Sequence, residues 1–147
     1  MNSIYRDATE ADLPAIVVLL ADDDLGISRE NPTLPLVQSY MDAFRAISAT
    51  PYQRLLVAID DGLVVGTMQF LLIPAISRQG SWRGQIEAVR IAKHLRGKGY
   101  GEAFVRWAVA QCRAKGCVSV QLTSDNARMH AHRFWRRVGF QPTHVGF

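Results

Sequence analysis

The sequence predicts a mixed α/β (α+β) domain, and three observations support this fold class. Apolar segments of strand type alternate with segments whose apolar residues recur at helical spacing, in the order β-α-α-β-β-β-α-β-α-β. The chain has 147 residues, of which 48% are apolar and 20% charged, as is usual for one globular domain. It contains no internal repeat or linker, so residues 1–147 are expected to form a single domain.

Two helices are expected after a short strand at residues 4–6. Residues 9–12 resemble a capping box, with Asp in place of the usual Glu or Gln, and the apolar residues that follow predict a helix to about Ala21. Thr33 and Pro35 are typical of the start of a second, amphipathic helix.

The rest of the chain begins with a hairpin, indicated by the turn sequence Asp60-Asp61-Gly62 between two apolar runs. Strands and helices then alternate, as they do in ligand-binding α/β units. The predicted strands are residues 55–59, 63–73, 85–92, 118–122 and 140–147, and the predicted helices are 102–115 and 126–137.

Composition and charge exclude several classes of function. The formal net charge is +4, but there is no run of Lys and Arg and no recognition motif, so we expect no nucleic-acid partner. No apolar run approaches the ~20 residues of a membrane span, and we expect a cytoplasmic protein without a membrane partner. Cys112 and Cys117 are too few for a zinc site or a disulfide framework, and His130 and His132 lie on different helix faces, so no metal is expected.

A glycine-rich turn between a predicted strand and a predicted helix is the strongest functional signal. Its sequence, Arg96-Gly97-Lys98-Gly99-Tyr100-Gly101, leaves backbone N–H groups at the start of a helix without partners. Such groups and the helix dipole together bind phosphate oxygens, and glycine allows the backbone to approach the ligand closely. The turn therefore predicts a phosphate-binding site, to which the Arg96 and Lys98 side chains can add charged hydrogen bonds.

Two common phosphate-binding sequences are absent from this turn. It lacks the Gly-Lys-Ser/Thr of a P-loop, and neither glycine frame gives Gly-x-Gly-x-x-Gly. It does match Arg/Gln-x-x-Gly-x-Gly/Ala, and it resembles the pyrophosphate-binding motif of the GNAT superfamily of N-acetyltransferases. The segment from Arg133 to Phe140, RFWRRVGF, is similar to the family's closing R-F-Y-x-x-x-G-F.

This resemblance implies a GNAT-like fold, with a mostly antiparallel central sheet flanked by about four helices. It also implies that acetyl-coenzyme A is the acyl donor, that a primary amine of a small molecule is the acceptor, and that a homodimer is possible. The strand before the turn would contact the pantetheine arm, and Asn126, where a helix N-cap is the alternative, would contact the cofactor as well. The implied cofactor contacts are Val89, Ile91, Arg96, Gly97, Lys98, Gly99, Tyr100, Gly101, Asn126 and Trp135.

The general base is expected to be Glu87. An alkyl amine with a pKa of about 10 must lose a proton before it can attack a thioester, and a carboxylate can accept that proton. Many members of the family place a Glu on this strand, and period-two alternation puts Gln85, Glu87 and Val89 on one face. The alternative is that Glu87 forms an ion pair with Arg83 or Arg90.

The sequence does not determine the general acid or the acceptor. Trp135 stands where the family often has the Tyr that protonates the leaving thiolate, and an indole is not a usable acid. This departure suggests an alternative function, a non-catalytic or weakly active coenzyme A-binding sensor or interaction protein. Asp22, Asp23, Asp24 and Glu30 could receive a cationic amine or form a solvated loop, and the Arg78, Trp82 and Arg83 group could meet an anionic acceptor or only solvent.

Overall fold

The computed structural model describes residues 2–147 and confirms the mixed α/β fold class, with five strands and six helices in this range. Four of the helices are long, and two are single turns. The strands are β1 (Ile4–Asp7), β2 (Gln53–Asp60), β3 (Leu63–Pro74), β4 (Trp82–Ile91) and β5 (Cys117–Gln121). The helices are α1 (Leu13–Ala21), α2 (Gly26–Arg29), α3 (Gln38–Ser48), α4 (Ser77–Gly80), α5 (Tyr100–Ala114) and α6 (Met129–Arg137).

The strands form one sheet in the order β1-β2-β3-β4-β5. Its first three pairings are antiparallel, whereas β4 and β5 are parallel. The parallel pairing ends at Gln85 opposite Gln121, but β4 continues to Ile91 with β3 alone as its partner. Within residues 2–147, the second half of β4 therefore has an edge that no strand covers, on the side where β5 ends.

Helices cover both faces of the sheet. On the face that we name the α5 face, strand residues such as Met68 and Ile86 are buried against Phe104 and Ala108 of α5. On the opposite face, which we name the α1 face, Val57 is buried against helix α1, and side chains of α3 pack around this cluster. The apolar periodicity of α1, α3 and α5 explains this layered arrangement.

The predicted final strand at residues 140–147 is wrong. The last helix ends in a cap in which Gly139 has a φ of 102° and the Phe140 amide donates to the Trp135 carbonyl at 3.0 Å. This bond is typical of a Schellman motif, so the Phe140 amide is not available for a strand. Pro142 has no amide hydrogen to give to a ladder. The segment after the cap therefore runs without regular structure.

Helix α3 begins at Gln38, later than the predicted start at Thr33 and Pro35. Val37 is extended, with a ψ of 141°, so the helix cannot include it. The preceding segment is instead held by local bonds, because the Asn31 side chain accepts the Thr33 amide at 3.1 Å and the Tyr40 hydroxyl accepts the Asn31 amide at 2.9 Å. These side-chain bonds hold the segment before α3 in a local turn conformation.

Close contact between β4 and α5 depends on Gly84. A Cβ atom at this position would lie 2.3 Å from the Cys112 Sγ, which is fully buried. We expect Gly84→Ala to lower the free energy of unfolding by about 2 kcal/mol through overpacking, as measured by chemical denaturation. The control is Gly146→Ala, because nothing lies within 4 Å of a Cβ there. Wild-type stability in Gly84→Ala would contradict this packing, and Cys112→Ala in the same chain should restore part of the loss.

Candidate active site

The glycine turn leads directly into α5, as the sequence predicts, although the helix begins at Tyr100 rather than at residue 102. Gly97 and Gly99 have φ values of 76° and 87°, which favour glycine. The N-cap residue Gly99 makes no side-chain cap, so the first-turn amides of this 15-residue helix lack a side-chain acceptor. A Cβ at Gly97 would contact nothing within 4 Å, so the surface beside these amides is open to a ligand.

Two polar side chains of the turn are engaged within the protein. The Arg96 guanidinium donates to the Ile91 carbonyl at 3.0 Å and to the Asp22 carboxylate at 3.1 Å. The Tyr100 hydroxyl donates to the Asp60 carboxylate at 2.9 Å, a bond that raises the pKa of Tyr100. Arg96 and Tyr100 therefore position the turn, and phosphate contacts would come from its backbone amides and from the exposed Lys98.

A β-bulge interrupts β4 next to the predicted base. Gln69 of β3 pairs with Glu87, and Thr67 pairs with Arg90. An advance of two residues along β3 therefore lies opposite an advance of three residues along β4. Ala88 carries the irregularity, with a φ of 52°, and it is exposed. A bulge leaves one residue outside the regular ladder and changes the direction of the strand.

The bulge also corrects the predicted alternation along β4. Glu87 lies on the α1 face, because its neighbour Ile86 is buried on the α5 face. Val89 packs on the same α5 face as Ile86, as does Ile91. The prediction that Glu87 and Val89 share a face is therefore wrong, because the extra residue at Ala88 reverses the alternation.

Glu87 is exposed on the α1 face and accepts a hydrogen bond from the Gln85 side chain. Gln85 in turn accepts one from the Gln121 side chain at 2.8 Å, so β4 and β5 share a short polar row. Within residues 2–147, Glu87 has no ion pair with Arg83 or Arg90, the alternative partners suggested by the sequence. Its carboxylate accepts a bond from one neutral amide and stays exposed.

The prediction that a helix begins at Asn126 is wrong, because α6 begins at Met129. Asp125 forms a turn before the helix, in which its carboxylate accepts the Ala127 amide at 2.9 Å and its carbonyl accepts the Arg128 amide at 3.0 Å. Asn126 is exposed within this turn and is not the N-cap, so the cap alternative for this residue is excluded. Its contact with the cofactor arm remains a prediction.

Trp135 lies in an aromatic cluster at the end of α6. Its ring centroid is 4.9 Å from that of Phe134 and 5.5 Å from that of Phe140, both in edge-on geometry. Phe134 also comes close to the turn, because a Cβ at Gly101 would lie 3.5 Å from its ring. The aromatic cluster thus packs α6 against the start of α5, and Trp135 has a structural role whether or not it contacts a cofactor.

The acidic segment after α1 has partners within the chain. Asp23 binds Arg128 and lies 3.3 Å from the Arg90 Nε, while Asp22 binds Arg96. Burial alone would raise the pKa of Asp23, but the bonds from Arg128 and the Gly26 amide, with the charge of Arg90, lower it. Glu30 accepts the Tyr40 hydroxyl at 2.6 Å. These carboxylates are therefore not free to receive a cationic amine.

Sequence reasoning missed this ion-pair network, which joins the loop after α1 to β4 and to the start of α6. Its members lie as many as 105 positions apart in the sequence, so no local pattern indicates that they meet. The sequence also suggests Arg78, Trp82 and Arg83 as contacts of an anionic acceptor. Arg78 lies in the tight turn α4 with a φ of 54°, and Trp82 packs edge-on against Tyr52 at 5.2 Å. The Arg83 Nε is buried and has no hydrogen-bond partner among residues 2–147.

Other reactive groups add little to the site. Burial raises the pKa of the Cys112 thiol to about 12, which makes it a poor nucleophile. No group of three or more His, Cys, Asp or Glu side chains within residues 2–147 could hold a metal ion. In the same range, no helix is long and apolar enough to cross a membrane.

Comparison with known proteins shows the family to which the chain belongs. The family described as Acetyltransferase (GNAT) matches residues 22–140. The chain is 30% identical over 114 residues to an aminoalkylphosphonate N-acetyltransferase of Salmonella typhimurium, covering 75% of this chain and 71% of that enzyme.

Two solved structures have the same fold across almost the whole chain. A transcriptional regulator from Bacillus halodurans C-125 is 40% identical, with a TM-score of 0.95 and coverage of 99% of this chain and 97% of that one. A putative acetyltransferase from Agrobacterium tumefaciens is 28% identical, with a TM-score of 0.84 and coverage of 98% and 96%. With the family match over most of its length, the chain belongs to the GNAT family of acetyltransferases.

Proposed function

We propose that this protein transfers the acetyl group of acetyl-coenzyme A directly to the primary amine of a small molecule, with Glu87 as the general base. The observation that carries the proposal is the position of the Glu87 carboxylate. It is exposed and unpaired with any arginine, next to the bulge at Ala88 and on the strand that runs into the phosphate-binding turn. Donor, base and acceptor would therefore meet along one strand.

The residues of the turn fit coenzyme A. The first-turn amides of α5 and the open space at Gly97 suit a pyrophosphate, and the edge of β4 that extends past β5 suits a narrow pantetheine arm. Gly97, Gly99 and Gly101, with Lys98, would hold the phosphates, while Val89, Ile91 and Asn126 would lie along the arm. When bound, acetyl-coenzyme A supplies an acetyl group activated as a thioester.

The chain's own groups would then do three things. Glu87 would take the proton of the acceptor ammonium, directly or through water. A backbone amide at the bulge would stabilise the negative charge that develops on the acetyl oxygen. Trp135 cannot supply a proton, but a thiol with a pKa of about 8.5 leaves as a thiolate without much help.

A small-molecule acceptor is favoured by the Salmonella relative, which is named for aminoalkylphosphonates. A non-catalytic coenzyme A sensor is the second candidate. It is supported by the substitution at Trp135 and by the Bacillus halodurans relative, which is described as a transcriptional regulator.

Thiol release from acetyl-coenzyme A separates the two candidates. Purified protein would be mixed with aminoalkylphosphonates, polyamines, amino acids, aminoglycosides and peptides, and free thiol would be followed over time. We expect release that depends on at least one acceptor of low molecular mass. Tight binding of acetyl-coenzyme A without release on any acceptor would support the sensor and contradict the enzyme.

A further inference from the structure

A half-buried cluster of opposite charges lies on the α1 face beside the candidate active site. Asp23 binds Arg128 and lies 3.3 Å from the Arg90 Nε, and the side chains of all three are between 19% and 22% exposed. The cluster joins three separate parts of the chain, namely β4, the loop after α1 and the turn before α6. It is therefore a fixed part of the site wall and not a set of mobile surface charges.

Positive charge in this cluster is only partly compensated. One carboxylate, Asp23, serves two guanidinium groups: it binds Arg128 and lies 3.3 Å from the buried Arg90 Nε, while the Arg90 Nη1 donates to the Val89 carbonyl at 2.9 Å. Burial lowers the pKa of Arg90, and repulsion by Arg128 and Arg96 adds to this effect despite the attraction of Asp23 and Glu30. Because one carboxylate cannot neutralise two guanidinium groups, a bound anion that meets their remaining N–H groups would stabilise the cluster.

The bulge places this cluster on the same face as the proposed base. Because Ala88 reverses the alternation of β4, Arg90 lies on the α1 face with Glu87. Three residues of strand span about 10 Å at most, and the bulge shortens this distance. A small molecule can therefore place an amine at Glu87 and an anionic group near Arg90.

We propose that Arg90 and Arg128, joined by Asp23, bind the oxyanion of the acceptor and so determine its class: a short primary amine that carries a phosphonate, phosphate or carboxylate. This assignment rests on the proposed function. It adds the second group of the acceptor, besides the amine, that the protein recognises. Guanidinium groups bind such oxyanions through paired, charged hydrogen bonds. The anion would hold the acceptor while its amine reaches the base.

Kinetics with matched acceptors test this assignment. Wild-type protein, Arg90→Gln and Arg128→Gln would be assayed with 2-aminoethylphosphonate, with β-alanine and with propylamine, which has no anionic group. We expect each variant to lower kcat/KM for the preferred anionic acceptor by about 30-fold, the loss typical of a charged hydrogen bond, while the value for propylamine changes little. The KM for acetyl-coenzyme A should stay close to that of wild type.

The control is Arg113→Gln, which removes one positive charge from an exposed site on α5 and should change none of these values. Thermal melts would show whether each variant is folded. If Arg90→Gln does not fold, Arg128→Gln alone carries the test. Equal losses with anionic and neutral acceptors, or a large rise in the KM for acetyl-coenzyme A, would overturn the proposal, because the arginines would then serve the cofactor or the fold.

A binding measurement separates this proposal from the proposed function. Methylphosphonate and acetate would be titrated into protein saturated with coenzyme A, and binding would be followed by NMR. Binding to wild type that is lost in Arg128→Gln but kept in Arg113→Gln would support the anion site even if no acceptor is turned over. The absence of binding to wild type would overturn it, even in an active enzyme.

Discussion

Replacing Glu87 with glutamine is expected to lower kcat by about 10²- to 10⁴-fold, the usual contribution of a general base. The change keeps the shape of the side chain and an oxygen that can accept the bond from Gln85, so the local structure should persist. What is lost is the ability to take a proton from the acceptor ammonium. The measurement is steady-state acetyl transfer at saturating acetyl-coenzyme A.

The pH dependence distinguishes loss of a base from damage to the site. A free alkyl amine loses its own proton near a pKa of about 10, so the difference between Glu87→Gln and wild type should narrow as the pH approaches that value. Glu10→Gln is the matched control, because Glu10 is an exposed carboxylate whose nearest cation is Arg45 at 3.5 Å. A variant Glu87→Gln with wild-type kcat at neutral pH would exclude this residue as the base.

A carboxylate placed in the glycine turn should abolish use of the cofactor. We expect Gly97→Glu to weaken binding of acetyl-coenzyme A by about 100-fold or more, because like charges in contact cost several kcal/mol. The position has open space and a φ of 76°, and it lies in the turn three residues before the first residue of α5. Isothermal titration with coenzyme A measures the effect.

Gly116→Glu is a closely matched control for this change. Gly116 also has open space and a φ of 81°, so the cost of placing a side chain in a left-handed backbone is similar. It follows the other end of α5, about 20 Å away by the rise of the helix. We expect it to bind coenzyme A as wild type does. Equal binding by Gly97→Glu and Gly116→Glu would contradict the position assigned to the pyrophosphate.

Much of the fold could be predicted because the signals are local. The apolar spacing of α1 and α5 and the turn sequence Asp60-Asp61-Gly62 determine helices and a hairpin within a few residues of chain. The absence of the expected final strand could not be predicted, because the pattern of residues 140–147 does not show that the amide of Phe140 is used to cap α6. The predicted start of α6 failed because the Asp125 side chain satisfies the backbone of a turn before the helix.

The candidate site also has parts that could be predicted from the sequence and parts that could not. The turn at Gly97–Gly101 and the position of Glu87 follow from short motifs, and their roles remain predictions. The bulge could not be predicted from the sequence, because alanine is not a residue type that indicates a φ of 52° at position 88. The contacts of Asp23 with Arg90 and Arg128 could not be predicted either, because ion pairs between distant segments depend on the packed structure.

Direct transfer to an amine is the central claim, and a single-turnover experiment tests it most directly. Protein in excess over acetyl-coenzyme A with an isotopically labelled acetyl group would be mixed with the best acceptor, quenched at intervals and measured by mass spectrometry. We predict that the label moves to the nitrogen of the acceptor, with no acetylated protein at any time. Label that stays on coenzyme A, or that passes through a covalent acetyl-protein, would contradict direct transfer.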